Sequence, residues 1–479
     1  MRLERFNNVM TGVFTNVLGT LLMFIITVYI TRTFDTEIYG EFRLAFSFVS
    51  LIVVFFVFGR DNGVVYYSQE LEAGEKQKLI IEECFYSLFT LSAGTFILYI
   101  LGQFITDTVF SGNIELENYH LTLLMIPLWG FFNVGIAGLR AIGSINSSFT
   151  LTNFTQRALR ALFFVVFAIF SHTFESLAWA MILSQLALIA ILLYKLPFLL
   201  KVFNVKFFNF FKRFTYSFQL GLSSIIFVVL SRLDVMMLGN LSTNESVAIY
   251  DVCILLTLVI LFPYTALVKS SEPVIKMMLK DNNVLRKYKA NLKLAVILSL
   301  GVLIPFIIFP EFILSVFGAE YLKGDFSLMI LSSGYALLVF LGSPVEILNM
   351  VGSVKISVRI LLLSIIMNAV LNYLLIPQYG ILGASIATIF SLLVTKILGS
   401  FILYKRHQLN IFQYQFFYIV IYFLIAIFIM EQVKTFLANL PKLYQVTIPL
   451  CLGYLFYFCL LWIFDKDLRE KLCNVIKAH

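Results

Sequence analysis

The chain has 479 residues, of which 60% are hydrophobic and 13% charged, with a mean hydropathy of +0.93; soluble domains carry about 25% charged residues, so a water-soluble protein is excluded. The formal charge of +8 does not indicate nucleic acid, because the basic residues fall between apolar stretches and not along one face. Five cysteines and four histidines show no metal-ligand, disulfide or catalytic-triad spacing, so no metal, cofactor or catalytic centre is expected.

Apolar stretches long enough to cross a bilayer, roughly 17–25 residues each, follow one another with short polar gaps. They predict fourteen helices near 9–30, 42–60, 82–105, 119–139, 150–171, 176–196, 215–238, 247–268, 294–316, 326–349, 356–377, 380–404, 411–431 and 444–464. The first is expected to stay as helix 1, since no small-residue cleavage site precedes Arg32. An even number places both termini on one side, and Lys and Arg gather in the loops of that side. Examples are Lys76 and Lys78, the group Lys195, Lys201, Lys206, Lys212 and Arg213, the stretch 269–293, and Lys405 with Arg406. The opposite loops at 107–120, 171–176, 239–246 and 377–380 carry neither residue. Both termini are therefore expected to be cytoplasmic.

A charge in hydrocarbon costs about 2.5–3.5 kcal/mol, so ionisable groups within spans face a partner or a polar cavity. In chain order they are Arg32 near the end of helix 1, Arg60 and Asp61 at the end of helix 2, Arg140 near the end of helix 4, and Arg157 with Arg160 inside helix 5. Arg232 and Asp234 lie in helix 7, Glu346 late in helix 10 and Lys396 in helix 12. One reading pairs them locally, Arg60 with Asp61 and Arg232 with Asp234, or lets those near helix ends reach headgroups. The other lines a cavity for an anionic substrate with arginines, whose planar fork binds phosphate oxygens bidentately. Arg157 and Arg160 are one turn apart and share a face. The substrate-binding candidates are accordingly Arg157, Arg160, Arg232, Arg60, Arg32, Arg140 and Lys396, with Asn16 and Asn372 as sugar-hydroxyl partners. Asp234, Asp61 and Glu346 are the ion-coupling candidates.

Self-similarity divides the chain. Glu37-Ile38-Tyr39-Gly40 after helix 1 resembles Ala248-Ile249-Tyr250-Asp251 after helix 7, and Ile142-Gly143-Ser144-Ile145 resembles Val351-Gly352-Ser353-Val354 after helix 10. The offsets of 211 and 209 residues point to a six-helix unit used twice. The expected organisation is a lobe at 1–200, an amphipathic cytoplasmic connector at 201–214, a second lobe at 215–407, and two further helices with a tail at 408–479.

Several segments resemble a known family. Thr31-Arg32-Thr33-Phe34 with Ile38-Tyr39-Gly40-Glu41-Phe42, then Arg232-Leu233-Asp234, Phe317-Gly318-Ala319-Glu320-Tyr321, and Asn368-Ala369-Val370-Leu371-Asn372-Tyr373 through Gly383-Ala384-Ser385 are similar to the Wzx-type polysaccharide transporters. These belong to the multidrug/oligosaccharidyl-lipid/polysaccharide (MOP) flippase superfamily. The resemblance implies two six-helix lobes in a MATE-like V shape and a central cationic cavity. It implies alternating access that carries an undecaprenyl-diphosphate-linked oligosaccharide, of an O-antigen, capsule or exopolysaccharide pathway, across the bacterial cytoplasmic membrane. Membrane lipids, a polysaccharide polymerase and a chain-length regulator are the implied partners, and the chain is expected not to be an enzyme. Related lipid II flippases carry several basic residues within helix 1, which this chain lacks before Arg32. An ion-coupled multidrug exporter fits an arginine-rich, carboxylate-poor interior less well. A polymerase or ligase needs a larger outer loop than any here, none of which exceeds about 15 residues.

Overall fold

A computed structural model describes residues 2–200, 208–268, 282–410, 417–437 and 442–464. Part of the expected connector (201–207), most of the basic stretch (269–281) and the basic tail beyond 464 lie outside the described residues. Among the described residues every regular element is a helix and none is a strand. That is the outcome lipid dictates, because a helix satisfies its backbone N–H and C=O groups within itself.

Among the described residues fourteen helices are long and apolar enough to cross a membrane. They are α1 Phe14–Thr33, α2 Thr36–Val57, α3 Ala73–Ile100, α4 Leu116–Ala141, α5 Ile145–Phe170, α6 Phe174–Lys195, α7 Ser224–Leu241, α8 Asn244–Leu267, α9 Val284–Ile308, α10 Glu320–Phe340, α11 Val354–Tyr379, α12 Ile381–His407, α13 Phe417–Phe436 and α14 Tyr444–Trp462. Each matches one predicted span, and the protein is a multi-pass membrane protein. Large apolar side chains such as Phe170, Phe428 and Leu455 point outward, as lipid contact requires.

The boundaries shift where local chemistry breaks a helix. Helix α2 starts at Thr36, six residues before the predicted start, so the Ile38–Phe42 motif is helical and Arg43 lies about two turns inside it. It ends at Val57; Phe58 and Gly59 take left-handed φ angles of 52° and 70°, and a short helix, Arg60–Tyr67, turns away. Arg60 and Asp61 thus stand on that short helix and not in α2. Past α10, Gly342 (φ 64°) and Ser343 precede a new helix, Pro344–Met350, which carries Glu346. The helix that contains α7 already begins at Phe208, within the stretch expected as connector. In α5, residues Thr150–Thr155 form a π-turn just before Gln156 and Arg157.

The chain forms two compact units, Met1–Asp251 with Ile365–Ala384, and Val252–Ser364 with Ser385–His479. In the first, α2 is a packing centre: its Phe42 ring meets those of Phe164 and Phe174 edge-on at 5.9 and 6.2 Å, and Phe48 meets Phe110 at 5.3 Å. Two glycines permit the closest helix approaches there. A side chain on Gly19 of α1 would strike the Asn153 backbone and the Arg157 stem, and one on Gly40 of α2 would strike the Asn244 backbone at the start of α8. In the second unit Tyr288 bonds Ser343 at 3.0 Å, fixing the break after α10, and the Tyr457 hydroxyl donates to the Ile297 carbonyl at 3.0 Å.

Candidate functional site

Three arginines from three helices of the first unit, Arg43, Arg160 and Arg232, gather beside one aromatic pair, and Arg157 stands one turn before Arg160 on α5. Phe46 of α2 stacks nearly parallel on Trp129 of α4, centroids 5.0 Å apart. The guanidinium carbons of Arg43, Arg232 and Arg160 lie 5.2, 5.7 and 5.8 Å from the Phe46 centroid, and Arg160 lies 5.5 Å from that of Trp129. Helical spacing sets this up: Arg43 and Phe46 are three residues apart on α2, as are Arg157 and Arg160 on α5, so each pair shares a face.

The partners of these arginines decide what they can do. Arg157 donates to the Thr20 hydroxyl at 2.8 Å and the Asn16 carbonyl at 3.2 Å, both on α1, and both acceptors are uncharged. Nε and Nη2 of Arg160 are buried with no hydrogen-bond partner. Among the described residues, Arg43 alone of the four forms an ion pair with a carboxylate: its Nη2 lies 2.5 Å from Asp251 Oδ1. Among the described residues, no carboxylate pairs with Arg157, Arg160 or Arg232. Aromatic faces offset part of a cation's desolvation, by about 0.5–2 kcal/mol, and leave its charge in place. The cluster therefore keeps a surplus of positive charge inside the membrane-spanning region, at a cost that structure alone does not recover. Guanidinium N–H groups in that state suit the oxygens of a phosphate or diphosphate.

The other sequence candidates sit elsewhere. Arg60 is 0% exposed, donates to Glu83 at 2.8 Å and lies over the rings of Tyr86 and Phe214. Arg213 pairs with the same Glu83 at 3.0 Å and with Glu82, which makes a buried network of two cations and two carboxylates. The local partner expected for Arg60, Asp61, is thus replaced by Glu83. Asp61 lies between spans; burial pushes its carboxyl above the ordinary range, while the charge of Arg140 pulls it down. Arg140 and Arg32 are exposed at the ends of α4 and α1. Asp234 is buried and does not turn to Arg232: it accepts from Asn372 at 2.8 Å and from the Tyr250 hydroxyl at 3.2 Å. Asn372 also donates to Asn368 at 3.0 Å. Asn16 contributes its backbone carbonyl to the cluster through Arg157, while its own residue surface is exposed. Lys396 and Glu346 lie in the second unit, 3.6 Å apart, and Lys396 also donates to the Gly342 carbonyl at 3.0 Å. Arg60 and Asn372 do not join the cluster, because Glu83 and Asp234 engage their polar groups.

Sequence reading brought together Arg157, Arg160 and Arg232 and missed Arg43 and Asp251. The repeat held the signal. Tyr39 and Tyr250 occupy the same place in the two tetrapeptides, and each hydroxyl bonds a buried aspartate, Tyr39 to Asp251 at 3.0 Å and Tyr250 to Asp234. Asp251 closes the second tetrapeptide, and Arg43 stands one turn beyond the first.

Comparisons agree with this architecture. Residues 6–279 match the family described as polysaccharide biosynthesis protein. A probable low-salt glycan biosynthesis flippase, Agl15, of Haloferax volcanii is 25% identical over 273 residues, 55% of this chain and 57% of that protein. The uncharacterized membrane protein MJ1068 of Methanocaldococcus jannaschii is 37% identical over 103 residues, 21% of this chain and 20% of that one. The matches therefore span a fifth to little more than half the length of these relatives. Among solved structures, the lipid II flippase MurJ in an inward closed conformation superposes with a TM-score of 0.75 at 15% identity, covering 97% of this chain and 99% of its own. An inward-facing multidrug resistance MATE family transporter of the MOP superfamily gives 0.65 at 14% identity, covering 83% and 98%. At such identities the likeness is one of fold, and it is the all-α polytopic fold expected from the sequence.

Proposed function

Because the chain belongs to the polysaccharide biosynthesis protein family, we propose that it is a flippase which moves a polyprenyl-diphosphate-linked oligosaccharide, of the undecaprenyl type, across a cytoplasmic membrane. The observation that carries this reading is the group Arg157, Arg160 and Arg232, three guanidiniums inside the spanning region without a carboxylate partner among the described residues. The description of the Haloferax volcanii relative, a probable low-salt glycan biosynthesis flippase, supports it.

The physical difficulty lies in the head group, since a diphosphate and several sugars lose their hydration in hydrocarbon. Arginine N–H groups replace the water around the phosphates, while the polyprenyl tail stays in lipid. Alternating access then exposes the head group on the far side, with the six-helix halves 1–200 and 215–407 as the moving bodies and 408–479 as an appendage. The distribution of Lys and Arg supports cytoplasmic termini. The chain acts as a transporter and not an enzyme, and hands its cargo to a polymerase with its chain-length regulator.

A lipid II flippase is the second reading, favoured by the superposition on MurJ over 97% of the chain, and its cargo carries the same diphosphate. Deleting the gene and analysing the lipid-linked intermediates that accumulate separates the two. A polyprenyl-diphosphate oligosaccharide without peptide is the expected species. A peptide-bearing disaccharide supports the lipid II reading, and accumulation of neither, together with new drug sensitivity, replaces both with drug export.

A further inference from the structure

Among the described residues, Arg43 differs from its three neighbours in forming a direct ion pair with a carboxylate. Asp251 comes from α8, is 7% exposed, and uses both oxygens toward α2: Oδ1 takes Arg43 Nη2 at 2.5 Å and Oδ2 takes the Tyr39 hydroxyl at 3.0 Å. Arg43 keeps a second donor in reserve, since its Nε is buried with no hydrogen-bond partner. The pair is part of the cluster, because Arg43, Arg160 and Arg232 all border the Phe46 ring.

We propose that Asp251 is a built-in counter-ion that holds Arg43 while the cluster is empty and yields it to the diphosphate of the arriving substrate, so keeping affinity low enough for release. This rests on the reading of the cluster as a diphosphate site. Four unopposed guanidiniums bind such an anion so firmly that it would not leave, and a translocation site must both accept and discharge its cargo. An internal carboxylate competes for one of the four. When the substrate binds, the Arg43–Asp251 pair is exchanged for an Arg43–phosphate pair; when it departs, the internal pair re-forms and the departure becomes more favourable. The Tyr39 hydroxyl makes the exchange feasible, since it leaves the displaced carboxylate with a donor and spares it the full penalty of an unpaired buried charge. Asp251 is thus a positioning residue that acts through Arg43 and does not itself touch the cargo.

The test is a binding cycle on the full chain in lipid nanodiscs, with inorganic diphosphate as the probe and dissociation rate as a second readout. Asp251→Asn keeps the shape of the side chain and removes its charge. It is expected to tighten diphosphate binding by about tenfold, the scale of one hydrogen bond to a charged group, and to slow dissociation. Arg43→Gln is expected to weaken binding, and in that background Asp251→Asn changes affinity less than about twofold, as residues acting through each other must. Unchanged or weaker binding in Asp251→Asn overturns the proposal, as does an undiminished tightening when Arg43 is absent. Should Asp251→Asn accumulate poorly, Tyr39→Phe decides: it keeps the carboxylate and deprives it of its second donor, so binding weakens several-fold, and unaltered binding refutes the exchange. If the wild-type chain binds no diphosphate at all, the flippase reading fails and takes this one with it. If it binds and Asp251→Asn does not tighten it, only the counter-ion role fails.

Discussion

Replacing Arg160 with methionine removes a guanidinium whose Nε and Nη2 lack hydrogen-bond partners, and leaves an unbranched apolar side chain in the same place. Two contributions to stability oppose each other. The contacts with Phe46 and Trp129, at 5.8 and 5.5 Å, are lost at a cost of about 0.5–2 kcal/mol. Against this, the desolvation penalty of an uncompensated buried ion, several kcal/mol even after relaxation, is relieved. The variant is therefore expected to unfold at the same temperature as the wild type or a higher one. Binding moves the other way: one charge-assisted hydrogen bond contributes about 1.5–3 kcal/mol, so diphosphate affinity falls roughly 10- to 150-fold. Two assays read the two signs, thermal unfolding of purified protein and surface polysaccharide in a deletion strain carrying the variant at matched membrane levels. A clearly lower melting temperature together with normal polysaccharide would show that Arg160 is a structural cation and remove the basis of the flippase assignment.

The paired charges are expected to behave oppositely. Arg60→Ala strips Glu83 of its 2.8 Å partner, both groups being buried, which destabilises the protein by about 3–5 kcal/mol in chemical unfolding; adding Glu83→Gln recovers part of the loss. Gly19→Leu drives a side chain into the Asn153 backbone and the Arg157 stem, so monodisperse protein on size-exclusion chromatography is expected to disappear or polysaccharide to be lost. Lys396→Met breaks a partly exposed pair of 3.6 Å worth under about 1 kcal/mol and leaves polysaccharide near wild type; its loss at normal protein levels would bring Lys396 into transport.

The helices were legible because lipid imposes length and apolarity on each span, and that information is local in sequence. Pairing was not, because proximity along the chain misleads inside a helix. Residues one or two positions apart point to different faces, so neither Arg60 with Asp61 nor Arg232 with Asp234 has the geometry of a pair. The true partners come from distant segments: Arg43 and Asp251 are 208 residues apart, and Arg213 and Glu82 are 131. Arg43 escaped notice for a further reason. A predicted start at residue 42 put it at the membrane surface, whereas α2 begins at Thr36 and carries it inward.

The direction in which Arg157 and Arg160 point depends on a feature that periodicity cannot reveal. The π-turn at Thr150–Thr155 adds a residue to one turn of α5, which rotates everything after it by about 100° relative to a uniform helix. An unbroken 3.6-residue repeat from Ile145 would turn Arg160 away from its place beside the Phe46–Trp129 pair. Their one-turn spacing, visible in the sequence, fixes that they share a face; the π-turn, visible only in the fold, sets the direction in which Arg160 reaches the ring that Arg43 and Arg232 also border. A cationic site at this position therefore requires an irregularity in α5 as much as it requires the arginines themselves.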